Sequence, residues 1–314
     1  MQIRNLLNVN ALTILFFILI FLLGIELYQD YGISLDETFH RDNAYFWYIY
    51  AKGFILELGS SIVNNSQSFI PQNIKNEVDL IGTASYTEGA IPSLQPVPLA
   101  IFYEFFVDFF NIEGSKNIFQ YRHLYNFIIY LIGLYFFYKL IQERYKSYFY
   151  SIIGFFLIFL TPRFFAESFY NPQDIFFLSM TIINMYTGIN FLKETNIKNT
   201  LAFSLTSALS IDTRIFGVIS VLIVFFLFFM KSFRSNQFLK NNLKFVLYFI
   251  FLTFLLIILF WPFLWADPIK NLLLAFSQLS SAAYPITSFY LEKFTLSTTI
   301  PWHYHIVWIG VTTP

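Results

Sequence analysis

The sequence predicts an all-α, polytopic membrane helix bundle, a single domain over residues 1–314 with about seven transmembrane helices and a large first outer loop carrying interface helices. Three observations predict it. The chain is 57% hydrophobic and only 12% charged, against roughly 25% charge in an average soluble domain. Apolar runs recur near the length of about 20 residues that a helix needs to cross a bilayer. The 19 basic and 19 acidic residues cancel overall yet segregate between successive loops. The same composition argues against a disordered chain and against a nucleic-acid partner, which calls for a basic excess. With no cysteine, disulfides, thiolate metal sites and cysteine nucleophiles are excluded.

The first run, residues 11–27, follows Arg4 as in a signal peptide, but Gly24-Ile25-Glu26 supplies no small-x-small cleavage site, so an uncleaved span is expected. Residues 28–120 form the first outer loop. In it, Ser34 and Glu37 have the spacing of a capping box, ahead of an aromatic segment that includes Phe39, Tyr45, Phe46, Trp47 and Tyr50. A second aromatic segment, residues 99–110, carries Glu104 and Asp108 at i,i+4, and both segments suit the membrane interface. The polar stretch 64–88 between them reads as a surface loop. Spans at 121–140, 148–165 and 175–192 follow, with a short outer turn at 162–174.

Residues 200–230 are long enough for one span but are interrupted by Asp212-Thr213-Arg214. The excess of Lys and Arg on cytoplasmic loops divides this stretch into two short passes, 199–212 and 215–230. The inner segments then hold Arg4, Lys139, Arg144, Lys146, Lys193, Lys198, Lys231, Arg234, Lys240 and Lys244 against only Glu143 and Glu194. The outer side is left with nine basic and seventeen acidic residues. The last complete span is 245–265. Residues 266–314 form an outer segment leading into an incomplete further helix, so the chain is expected to be part of a longer protein. An interfacial tail anchored by Trp302 and Trp308 is the alternative.

Several residues at the outer ends have chemistry to offer. A hydroxyl is a weak nucleophile, and a positioned carboxylate can take its proton as a new bond forms. Asp36, at the outer mouth of the first span, is the candidate base. Arg163 and Arg214 stand at the outer ends of spans, near the depth of a lipid phosphate, where cations stabilise the growing charge of a phosphate leaving group, and Arg41 and His303 are further candidates. Each has a plainer reading: Asp36 and Glu37 as helix-terminal acids, the arginines as snorkelling side chains, and Arg214 as a partner of Asp212. Asp174 likewise either serves the dipole of the following helix or orients a sugar or a metal. His303 and His305, two residues apart, are a weak signal for a divalent metal ion.

This arrangement resembles the GT-C superfamily of membrane glycosyltransferases, and most of all its family 39 branch of protein O-mannosyltransferases and lipid A aminoarabinose transferases. The likeness rests on Asp36-Glu37 at the end of the first span, on the large outer loop behind it, and on Asp174 in the next outer turn. Ser168-Phe169-Tyr170-Asn171-Pro172-Gln173-Asp174 is similar to a bacterial subgroup, with Glu167 where relatives often carry histidine. Thr213-Arg214 and Pro301-Trp302-His303-Tyr304 also look family-like, and the likeness covers most of the chain.

The resemblance implies inverting transfer of a sugar from a polyprenyl-phosphate donor to a hydroxyl on a protein, lipid or polysaccharide. It implies catalytic roles for Asp36, Glu37 and Asp174, donor phosphate binding by Arg163, Arg214, Arg41 and His303, and sugar contacts from Glu167, Tyr170 and Asn171. The expected location is a bacterial inner membrane, with a cytoplasmic N-terminus and the active site on the periplasmic face. Two other classes stand beside this one: a transporter or flippase of a lipid-linked substrate, and an inactive truncated relative with a structural role. A transporter calls for ionisable residues near the middle of several spans and for internal repeats. Here the charges gather at the outer ends.

Overall fold

The computed structural model describes residues 2–34, 36–62, 68–80, 96–233, 236–280 and 287–312. Helix α1 (Gln2–Leu27) leads into α2 (Glu37–Ile62), α3 (Gln72–Leu80) and α4 (Pro98–Phe109) of the first loop. The bundle proper follows as α5 (Ser115–Tyr145), α6 (Tyr148–Phe159), α7 (Pro162–Tyr170), α8 (Pro172–Lys193), α9 (Ile197–Thr213), α10 (Val218–Phe233) and α11 (Asn236–Phe260). The last segment holds α12 (Pro268–Ser280), a hairpin of β1 (Thr287–Tyr290) and β2 (Lys293–Leu296), and α13 (Tyr304–Thr312).

Among the described residues, four helices are long and apolar enough to cross a membrane: α5, α8, the stretch Ile215–Phe233 that contains α10, and the Lys240–Phe260 part of α11. The pair α6 and α7 passes as one span only with a 68° bend, and Ala11–Leu27 is a shorter apolar helix.

Proline accounts for two departures from the expected boundaries. The run 148–165 does not continue straight, because Pro162 has no amide to donate to the preceding turn and opens α7 instead. The outer turn expected at 162–174 is therefore largely helix. Likewise α11 stops at Phe260, and Pro262 begins a 3-10 turn, Pro262–Leu264, where span 245–265 was expected to run on. In the polar loop, residues 72–80 form α3; residues 64–67 and 81–88 lie outside the described residues. The hairpin is the one departure from an all-α chain among the described residues. Leu291 and Glu292 turn it with positive φ of 47° and 66°, as a two-residue turn between twisted strands requires.

Residues 200–230 fall in two helices that run in opposite directions, α9 and α10. Helix α9 runs from Asn199, whose side-chain amide reaches the Asn190 and Glu194 carbonyls, to Arg214, which pairs with Asp174 at the opposite end of α8. Helix α10 then returns to the first end, where Lys231 Nζ donates to the Leu192 carbonyl at 2.8 Å and Lys193 pairs with Glu143. With only 17 residues, many of them polar, α9 packs against α8, α10 and α11 and leaves Ile197, Leu201 and Leu205 exposed on its remaining face.

Several of its polar side chains bond inside the bundle. Asn184 Nδ2 donates to Ser220 Oγ at 2.6 Å, and Asn184 Oδ1 accepts from Thr206 and Ser207 at 3.1 and 3.0 Å. Such bonds hold membrane helices together where apolar contact alone discriminates poorly.

The turn between α9 and α10 depends on one glycine. A Cβ on Gly217 would stand 2.5 Å from the Ser210 carbonyl carbon, which is backbone and cannot swing aside. Gly217→Ala is expected to cost about 1–3 kcal/mol, read as a lower melting temperature in detergent. Gly59→Ala, with nothing within 4 Å of the added carbon, is the neutral comparison.

Candidate functional site

The site draws on the first turns of α2 and α8, on α7 and on the end of α9, with α2, α7 and α9 all packed against α8. Helix α2 begins at Glu37, two residues later than a Ser34 cap would place it. The Asp36 carbonyl accepts the His40 amide at 3.0 Å, leaving the Asp36 side chain exposed just ahead of the helix. One arm of the expected capping box still forms, because the Ser34 amide donates to Glu37 Oε2 at 3.3 Å. Glu37 itself is fully enclosed. His123 on α5 contacts its carboxylate at 3.1 Å through Nε2 and contacts the Tyr28 carbonyl at 3.2 Å through Nδ1. The two adjacent acids thus have different settings: Asp36 faces outward, and Glu37 fastens the start of α2 to α5.

The motif Asn171-Pro172-Gln173-Asp174 is a reciprocal helix cap. Pro172 takes the first helical position, where its missing amide costs nothing. The Asp174 amide donates to Asn171 Oδ1 at 3.0 Å, and Asn171 Nδ2 donates back to Asp174 Oδ2 at 3.1 Å. Arg214 pairs with the other oxygen of Asp174, so the Asp212–Arg214 contact considered from sequence is not formed. In the opposite direction Asn171 Nδ2 also reaches Glu167 Oε2 at 3.3 Å, and Glu167 Oε1 accepts from Arg163 Nε at 2.8 Å. The result is one continuous polar chain, Arg163–Glu167–Asn171–Asp174–Arg214, along the mouth.

Helix α7 is fixed beneath this chain by Phe169, which is fully buried between Phe127 and Tyr31. Asn126 Nδ2 donates to the Phe169 carbonyl at 2.7 Å. Tyr170 is half-buried beside Tyr31, at the edge of the polar chain.

His40 lies one turn along α2 from Asp36 and feels the charges of Asp36, Asp174 and Arg214. Burial lowers the pKa of its imidazole, and Arg122 lowers it further; Asp36 and Asp174 pull it back up, and Arg214 adds to the lowering. His40 is therefore held toward its neutral form, within the field of both acids and both arginines.

Two candidates stand apart from this cluster. Arg41 turns to Glu104 on α4, with Nε 3.7 Å from Oε1. His303 accepts or donates a hydrogen bond of 2.7 Å with Tyr290 Oη in the hairpin segment. Among the described residues no group of three His, Asp or Glu side chains is placed to hold a metal ion. Sequence reasoning missed Arg122 and His123 and read Glu104 only as part of an interfacial helix; all three are about 1% exposed. Arg122 Nη1 lies 3.7 Å from Glu104 Oε1, giving Glu104 a cation on each side. The signal was an arginine and a histidine side by side at the opening of an apolar run, where charge is expensive without a purpose.

No family model, no curated protein and no solved structure matches the chain.

Proposed function

We propose that the protein is an inverting membrane glycosyltransferase that moves a sugar from a polyprenyl-phosphate donor to a hydroxyl-bearing acceptor. The observation that carries this reading is the cation-bearing polar chain that ends in Arg214, set on α8 against which α2 packs, with the exposed carboxylate of Asp36 at the start of α2. An apolar groove of about 310 Å³ is lined by Ile215, the residue after Arg214, and by Ile211, Phe254, Ile257, Trp261 and Leu273 among others. A lipid phosphate held by Arg214 would have its hydrocarbon chain in that groove.

In this reading the acceptor oxygen bonds to the anomeric carbon from the face opposite the phosphate. The bond from that carbon to the phosphate oxygen breaks, and its electron pair stays on the phosphate, near Arg214 and Arg163. The hydroxyl proton passes to the Asp36 carboxylate. A single displacement of this kind inverts the anomeric centre. Glu167, Asn171 and Asp174 position the two arginines, and Glu37 positions α2. The basic end of the bundle is cytoplasmic by the distribution of Lys and Arg, which puts this mouth on the outer face.

The flippase reading draws less support, because the polar side chains Asn184, Thr206, Ser207 and Ser220 inside the bundle are bonded to one another.

The test is reconstitution of the chain in vesicles with a panel of polyprenyl-phosphate sugars and hydroxyl acceptors. Donor should be consumed and an inverted linkage formed, with Arg214→Ala losing most of that turnover. Transbilayer movement of the lipid without consumption of any donor would replace the enzyme reading with the flippase.

A further inference from the structure

A second groove, larger than the one at Ile215 and sharing none of its lining residues, lies between α2, α4 and the outer end of α11. Its volume is about 450 Å³, within the range of roughly 300–1,000 Å³ that ligand pockets occupy. The walls are aliphatic and aromatic, with Ile55, Leu56, Ile101, Phe102, Phe105 and Trp265 prominent. Polar atoms enter from one side only. There Tyr48 Oη donates to Asp108 Oδ2 at 2.5 Å, and Lys52 Nζ donates to the same oxygen at 2.6 Å.

Three features define what can bind. The walls are largely side chains of the helices α2, α4 and α11, so an extended peptide would find few main-chain partners there, and a helix, which bonds its own main chain, would bring no phosphate to the charged rim. A hydrocarbon chain needs no such partners. The rim carries one cation and one anion, both about half-exposed, with side-chain exposures of 47% for Lys52 and 51% for Asp108. Both ring and ammonium bonds land on Oδ2, so Oδ1 accepts from neither group, and the ammonium of Lys52 has three donors of which this bond uses one. The rim therefore complements a head that is itself zwitterionic, offering a phosphate to Lys52 and an N–H donor to Asp108.

We propose that this groove is a binding site for a membrane phospholipid with a primary ammonium head, of the phosphatidylethanolamine kind, its acyl chain along the apolar wall and its head at Lys52 and Asp108. A quaternary head has no N–H to give and fits the rim less well. The site is separate from the donor groove, and it stands whether or not the chain transfers sugar.

The experiment uses the full chain in vesicles containing phosphatidylethanolamine or phosphatidylcholine with the same diazirine-tipped acyl chain. After irradiation, the labelled residues are mapped by mass spectrometry. Label from the ethanolamine lipid should concentrate on residues 51–56 and 101–105. It should fall by about tenfold with the choline lipid, the size of one hydrogen bond to a charged group, and by a similar factor in Asp108→Asn. Ala51→Trp, which fills the groove, should remove the label with either lipid; Ile55→Trp serves the same purpose if the first variant does not fold. Equal groove labelling by the two heads, or labelling that survives both filling variants, would mark the lipid as ordinary surrounding bilayer and overturn the proposal.

Discussion

Asp36→Asn is expected to lower sugar transfer by about 10²–10⁴-fold, the usual contribution of a positioned general base, while leaving yield and melting temperature near those of the parent. The two halves of this expectation have separate causes. The side chain of Asp36 is exposed, and what α2 takes from this residue is its carbonyl, which accepts the His40 amide. Asparagine preserves that carbonyl and is also a favoured residue ahead of a helix, so stability should shift by no more than about 0.5 kcal/mol. The amide cannot take a proton at neutral pH, so the loss should appear in kcat, with donor binding retained. Glu37→Gln supplies the contrast. Glu37 is enclosed against His123 and the Ser34 amide, so its replacement should lower the melting temperature first and activity only in consequence. Wild-type transfer by Asp36→Asn would remove the base from this residue.

These two acids also mark how far sequence could be read. Their place at the end of the first apolar run was legible, because a membrane imposes helix length and makes charge informative. Which of the pair faces outward was not, since that depends on where α2 begins, and it begins at Glu37, two residues later than a Ser34 cap would place it. The polar chain was partly legible. Asn171-Pro172-Gln173-Asp174 is a local cap whose bonds follow from spacing alone, whereas the pairing of Asp174 with Arg214 joins positions 40 residues apart and needed the packing of α8 on α9. The position of Arg214 suggested Asp212 as its partner, but Asp212 lies at 0% exposure inside the bundle, with neither carboxylate oxygen hydrogen-bonded by the protein. Helix boundaries at Pro162 and Pro262 were overrun for a different reason: hydropathy is continuous across both prolines, while the backbone is not. The hairpin carries no strong signal, since Leu291 and Glu292 are poor turn residues by composition and adopt positive φ all the same.

Glu104→Ala should have the largest effect on stability, about 3–5 kcal/mol, because it removes one partner from a buried ion pair and leaves the other charged. Arg122 is 1% exposed, and neither of its terminal nitrogens is hydrogen-bonded by the protein, so the Glu104 carboxylate at 3.7 Å is its principal compensation. Burial pushes the Glu104 carboxyl above its ordinary value, and Arg122 and Arg41 draw it back down. The carboxylate is thus the group that offsets the buried guanidinium of Arg122 and the half-buried one of Arg41. Around them, α4 is held to α5 by Tyr103 Oη donating to the Ile118 carbonyl at 2.6 Å and by Tyr125 Oη donating to the Leu99 carbonyl at 3.0 Å. Loss of Glu104 should consequently loosen α4 from the bundle without melting the spans. In unfolding experiments in detergent, Glu104→Gln should fall between the parent and Glu104→Ala. The double variant Glu104→Leu with Arg122→Met should recover most of the loss, since paired apolar residues often replace a buried ion pair at no cost. If the double variant is as unstable as Glu104→Ala, packing alone sets the stability of this corner and the ion pair contributes nothing to it.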